Sequence, residues 1–228
     1  MKEFIENLLP YERDLFFLLN GSNSVFWDNV MWIVSRTSAW FPFYVFVALF
    51  LFYKTLKKEA ALVLIFFILM IVVCDQFSSG LVKPFFERLR PTHHPDFKDF
   101  VDMVNEHRGG GFSFISGHAT NSFGFAVFLS LVFRNRWVTL VSLVWATLIS
   151  YSRIYLGVHF ISDVVGGVLA GILIATISYA VFASLRKKLF HLDSSEKTRI
   201  YSPQHGKILA LAFTAYFLGV VLFGVFFP

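Results

Sequence analysis

One cysteine stands in the 228 residues, Cys74, and it lies inside an apolar run, so no disulfide can form within the chain. Charge is scarce as well. Asp, Glu, Lys and Arg make up 15% of residues against 56% hydrophobic, and mean hydropathy is +0.64. A soluble domain rarely has so little charge to cover its surface. The excess of basic residues is small, net +5, and gathers at the ends of apolar segments. That excludes a nucleic-acid surface and reads as membrane topology. The opening stretch MKEFIENLLPYERDLFFLLN carries acids and a proline and lacks a small-residue cleavage site, so it is expected to stay in the mature protein. No internal repeat is visible, and no carboxylate cluster marks a metal site, so no cofactor is expected.

What the chain has is aromatic and aliphatic bulk, with thirty Phe and five Trp. These suit a bilayer core with aromatic edges. The expected fold is all-α, a polytopic membrane protein of one domain over 1–228. Residues 1–35 are expected to form interfacial amphipathic helices, because Phe4, Ile5, Leu8, Leu9, Leu15, Phe16, Leu18 and Leu19 alternate with charges. A turn at NGSNS then offers Asn23 or Ser24 as a cap for VFWDNVMWIV. A six-helix transmembrane bundle is expected over 38–227, with spans at 38–54, 58–82, 117–134, 137–152, 161–185 and 207–227. GVLAG at 167–171 is a small-xxx-small pattern that predicts close helix packing in the fifth span.

The connectors orient the bundle. YKTLKKE (53–59), RNR (134–136) and RKKLFHLDSSEKTR (186–199) share one side, which the positive-inside rule makes cytoplasmic. The 83–116 loop then faces outward, as does the connector holding SRIYLGVH. Both outer connectors carry polar clusters: KPFFERLRP, FSFISGHAT and YSRIYLGVHFISD. Each Lys or Arg taken alone snorkels to headgroups, and each His taken alone is a solvated side chain. Three clusters at one membrane face mark a functional site.

Lys83, Arg90 and Arg153 supply three fixed cations. Ser116 offers a hydroxyl and Gly117 a backbone N–H at a helix start, a favoured place for an anion. That set fits a phosphate dianion approaching a more highly charged transition state. Asp163 follows His159 by four residues, so its carboxylate reaches the imidazole and fixes its tautomer. The economical reading is a two-step phosphoryl transfer. His159 attacks phosphorus, and His118 protonates the leaving group and then activates water.

Lys83-x6-Arg90-Pro91, Ser116-Gly117-His118 and Ser152-Arg153-x5-His159-x3-Asp163 resemble the three-part signature of the type 2 phosphatidic acid phosphatase superfamily. The motifs cover about 80 residues, 83 to 163, in order and around two expected spans. The resemblance implies an integral membrane phosphatase acting on lipid phosphates or diphosphates without a metal. One departure is Ile115, where the family usually has Pro before Ser-Gly-His.

The expected partners are a lipid phosphate substrate and the bilayer, with no nucleic acid and no obligate protein partner evident. The expected location is a bacterial inner membrane with the site on the periplasmic face. The substrate is open among undecaprenyl diphosphate, phosphatidic acid, phosphatidylglycerol phosphate and a lipid A-type phosphate. A lipid phosphotransferase uses the same motifs, and an anion transporter is a third reading, disfavoured because the charges sit at span ends. Asp75 and Gln76 read as glue between helices ahead of partners for Lys83. His93, His94 and His107 fit no zinc spacing and read as a solvated loop. RGGG at 108–111 reads as a hinge or phosphate-approaching loop, and Arg88 as a headgroup contact or a residue facing water.

Overall fold

A computed structural model describes residues 5–22, 24–191 and 199–226. Phe4, Asn23, residues 192–198 of one connector and the last residue of the 207–227 span lie outside the described residues. All regular structure among the described residues is helical. The order is α1 (Leu9–Leu19), α2 (Val25–Ser35), α3 (Thr37–Phe50), α4 (Lys57–Asp75), α5 (Gly117–Phe133), α6 (Arg136–Tyr155), α7 (Ile161–Leu189) and α8 (Pro203–Phe226).

Local chemistry sets the boundaries. Ser116 has extended backbone angles, and its hydroxyl accepts the Ala119 N–H at 3.4 Å, starting α5. Arg134 turns left-handed and closes it. Asn135 then caps α6 by accepting the Trp137 N–H at 2.9 Å. α4 does not end cleanly. From Gln76 to Val82 it runs as π-helix, followed by one α turn over Lys83–Phe86. Such π segments recur at functional sites.

Four helical stretches are long and apolar enough to cross a bilayer: Lys57–Phe86, Arg136–Tyr155, Ile161–Leu189 and Pro203–Phe226. α2 and α3, bent by 49° at Arg36, make a fifth if counted as one broken span. Within the helix expected at the interface over 25–34, Val30, Met31 and Val34 are buried, and α2 packs on α8 and α6. α5, with 17 residues, extends about 25 Å at 1.5 Å per residue. It is the helix most enclosed by others, packed on α7, α6 and α4, so protein rather than lipid lines most of its length. Lipid-facing bulk lies on the outer helices, with Ile68, Val72, Leu169, Leu173, Leu211 and Leu218 exposed.

Side chains from α3, α5, α6 and α8 fill the core. Trp40 meets Trp145 edge-on at 5.5 Å, and Phe43 stacks on Phe213 at 4.2 Å. A smaller cluster sits at one end, where Phe16 of α1 and Phe97 both pack on Phe160, at 5.5 and 5.0 Å. The described residues of the basic connectors lie at the opposite end, where Arg186 pairs with Glu59 at 2.9 Å.

The GVLAG pattern works as expected. A Cβ on Gly167 would meet the Ser116 carbonyl oxygen at 2.5 Å, and one on Gly171 would strike the Thr120 carbonyl oxygen. Lipid is as apolar as Leu, so close backbone contact is what holds α5 to α7. Gly171→Leu is therefore expected to lower stability in detergent by roughly 3 kcal/mol through overpacking. Thermal unfolding of the purified variant checks this, and an unchanged midpoint would sink it.

Candidate active site

α6 ends at Tyr155, and Gly157 takes φ +69°, a left-handed turn open to glycine. A Cβ there would also strike Val101. The turn folds the chain back so that the His159 N–H reaches the Arg153 carbonyl at 3.2 Å. Arg153 and His159 thus arrive side by side from one short motif. The next helix starts at once, and Asp163 in its first turn accepts the Phe160 N–H at 2.8 Å.

His159 is buried. Its Nδ1 lies 3.4 Å from Asp163 Oδ2, and its Nε2 lies 3.2 Å from Arg90 Nη1. Arginine only donates, so Nε2 accepts and the ring proton belongs on Nδ1, pointing at the carboxylate. Burial is the main cause pushing the His159 imidazole down to about 3, with the Asp163 hydrogen bond opposing it and Arg90 and Arg153 adding to it. The ring is neutral at ordinary pH, with an unprotonated nitrogen facing the cations.

Those cations converge. Lys83, Arg90, Arg153, Gly117, His118 and His159 line one cavity of about 390 Å³. Arg90 also donates to the Val158 carbonyl at 2.8 Å and the Gly110 carbonyl at 3.0 Å, which ties the glycine loop to the site. Burial, opposed by Asp163, lowers the Arg90 guanidinium below its usual range. Arg153 is buried, donates to the Ser35 hydroxyl and keeps its Nε without a protein partner. That donor suits an anion's oxygen.

Ser116 and Asp163 lie off the cavity wall. Ser116 is fully buried off the cavity wall, and its hydroxyl is spent on capping α5. Asp163 stands behind His159, as the tautomer argument requires. Three other expectations are corrected. Asp75 lines the cavity beside Lys83 rather than gluing helices, although Gln76 Nε2 approaches it at 3.5 Å. Arg88 is wholly buried, paired with Asp163 at 2.7 Å and Glu12 at 2.9 Å. His94 is not simply solvated, for it lies 3.4 Å from Glu6 and packs edge-on against Phe97 at 5.3 Å. His107 lines an adjoining cavity of about 460 Å³ with Arg36 and Trp32, and burial followed by Arg153 and Arg90 lowers its pKa. Among the described residues no group of three or more His, Cys, Asp or Glu side chains could hold a metal ion.

Sequence reasoning missed Ser113, whose hydroxyl donates to Asp163 Oδ2, and Ser35 under Arg153. It also missed Glu12. The available signal was position, since Glu12 shares the buried stripe of α1 with Leu9 and Phe16. An acid on an apolar face needs a partner.

The family model described as PAP2 superfamily matches residues 64–187. A lipid A 4'-phosphatase of Porphyromonas gingivalis is 41% identical over 184 residues, covering 81% of this chain and 78% of that one. A lipid A 4'-phosphatase of Bacteroides thetaiotaomicron is 38% identical over 168 residues, 73% of this chain and 75% of that one. The crystal structure of a transmembrane PAP2 type phosphatidylglycerolphosphate phosphatase from Bacillus subtilis superposes with a TM-score of 0.59 at 24% identity, covering 79% of this chain and 87% of that one.

The buried neutral histidine has a consequence for stability. Unfolded, its imidazole titrates near 6.5, against about 3 when folded. Between those values the unfolded chain takes up a proton that the folded site refuses, so stability falls as pH drops through that window. The thermal midpoint is expected to decline from pH 6.5 downward, and His159→Gln is expected to flatten the decline. Equal slopes in the two proteins would refute a neutral His159.

Proposed function

This chain belongs to the PAP2 superfamily and is a membrane lipid phosphatase, and on that premise we propose that it removes a phosphate from a lipid headgroup through a phosphohistidine on His159. The observation that carries the reading is the ring of His159, with Asp163 on Nδ1 and an unprotonated Nε2, beside Arg90, facing the cavity shared by Lys83, Arg90, Arg153 and His118.

In the first step the Nε2 lone pair attacks phosphorus, the bond from phosphorus to the lipid oxygen breaks, and His118, protonated once the phosphate's negative charge stands beside it, gives its proton to that oxygen. In the second, water attacks phosphorus, hands a proton to His118, and the N–P bond breaks to release orthophosphate and free His159. Lys83, Arg90, Arg153 and the Gly117 N–H balance the charge on the equatorial oxygens. Asp163 holds the Nδ1 proton and supports the cationic ring of the intermediate. Ser116 acts through its cap, which fixes where the Gly117 N–H points. The described residues supply no cluster of metal ligands, and no step is routed through a metal.

The substrate proposed first is a lipid A-type phosphate monoester, supported by two relatives named lipid A 4'-phosphatase at 41% and 38% identity. The proposed arrangement is a single domain over 1–228 with six crossings: the bent α2–α3 pair, then α4, α5, α6, α7 and α8. α1 lies at the interface on the side of the site. That side is proposed to be the periplasmic face of a bacterial inner membrane, since the described residues of the basic connectors lie at the other end.

Phosphate release from a panel of purified lipid phosphates, measured in chelator, tests the reading. Turnover is expected to persist in chelator, with phosphate appearing as free orthophosphate and the lipid A-type monoester turned over fastest. His118→Ala is expected to lose about 10²–10⁴-fold in kcat. His159→Ala is expected to lose all measurable turnover. Full activity in His159→Ala, or a strict need for added magnesium, overturns the mechanism.

A further inference from the structure

Glu12 and Arg88 take no part in the two steps above, yet they are joined to them. Arg88 has 0% exposure, and its planar guanidinium lies 4.4 Å from the centroid of Phe160. Nη1 donates to Asp163 Oδ1 and to Ser162 Oγ, both at 2.7 Å, and Nη2 donates to Glu12 Oε1 at 2.9 Å. Glu12 accepts the Ser162 N–H and the Ser162 hydroxyl, each at 2.7 Å. So an acid from α1 caps the first turn of α7 from another part of the chain, and that same turn carries Asp163.

We infer that Glu12 and Arg88 are positioning residues for the His159 nucleophile, acting through Asp163, with Arg88 orienting the carboxylate and Glu12 keeping the cluster anionic. The inference rests on the phosphohistidine reading. Asp163 Oδ1 is held by Arg88, which leaves Oδ2 for His159, Ser113 and the Phe160 N–H. An arginine paired with Asp163 alone cancels the charge that must support a cationic imidazole. With Glu12 on its other nitrogen, Arg88 is shared, and the three side chains carry one net negative charge. That charge is balanced when the ring becomes cationic on bonding phosphorus.

A purely structural clip explains less. A buried ion network adds little net stability compared with apolar contact. Phe16 already docks α1 against Phe97 and Phe160. Docking alone does not call for buried charges, since apolar contact can hold α1 as well.

The test uses full-length enzyme in detergent, with kcat, KM and thermal midpoint measured on one lipid phosphate monoester. Glu12→Gln keeps the shape and removes the charge. It is expected to lower kcat about tenfold or more while KM stays within about threefold, as when an interaction is lost only in the transition state. Arg88→Lys offers one ammonium where two acids need a fork, and the same split is expected. Phe16→Leu is the docking control, expected to lower the midpoint while kcat per folded enzyme stays within about threefold. The inference is overturned if both charge variants keep kcat within about twofold. It is overturned equally if they lose kcat only in step with the midpoint, as a docking defect does. His159→Ala runs alongside. If that variant is inactive and the charge variants are not, only the positioning inference fails; if it is active, the phosphohistidine reading fails with it.

Discussion

Asp163 is out of solvent, with Arg88 on one carboxylate oxygen and Ser113, the Phe160 N–H and His159 on the other. Its backbone carbonyl accepts the Ser116 N–H at 2.9 Å. A carboxylate buried without partners is strongly disfavoured. The bonds that satisfy it therefore hold together the start of α7, the start of α5, the end of the 83–116 loop and, through Arg88, the N-terminal helix. Arg88 falls within the first signature motif, Ser116 in the second and Asp163 in the third, so these bonds join one residue from each. The site and this end of the fold depend on the same set of hydrogen bonds.

The surroundings explain why the arrangement sits where it does. Between helices in lipid there is no hydrophobic force to exploit, so α5 and α7 are held by backbone approach at Gly167 and Gly171. Ionised groups are tolerated where a helix reaches the membrane edge and can satisfy them. Lys83, Arg90 and Arg153 all stand at such ends or in the loops beyond them, with the neutral His159 beside them. The aromatic cluster of Phe16, Phe97 and Phe160 covers the ion network from the far side and excludes water from it.

Much of this was legible beforehand, for identifiable reasons. Membrane helices reveal themselves through composition, because a spanning segment must be apolar along its length. Arg153, His159 and Asp163 lie within eleven residues, so one turn and one helix start are enough to place them. Less regular features were hidden. The bend at Arg36 and the π segment over Gln76–Val82 leave no distinctive residue pattern. Ser116 was read as a ligand because a hydroxyl beside a helix start suits both capping and anion binding, and spacing alone does not choose between them.

From the order of residues alone came an all-helical membrane protein whose cations and histidines meet at one end, because periodicity, hydropathy and short-range spacing are local properties of the chain. Only the folded chain decided what stands behind the histidine. Glu12, Arg88 and Asp163 are separated by 76 and 75 positions, and no local rule links residues so far apart. They meet because a buried charge takes whichever partner packing brings within about 3 Å.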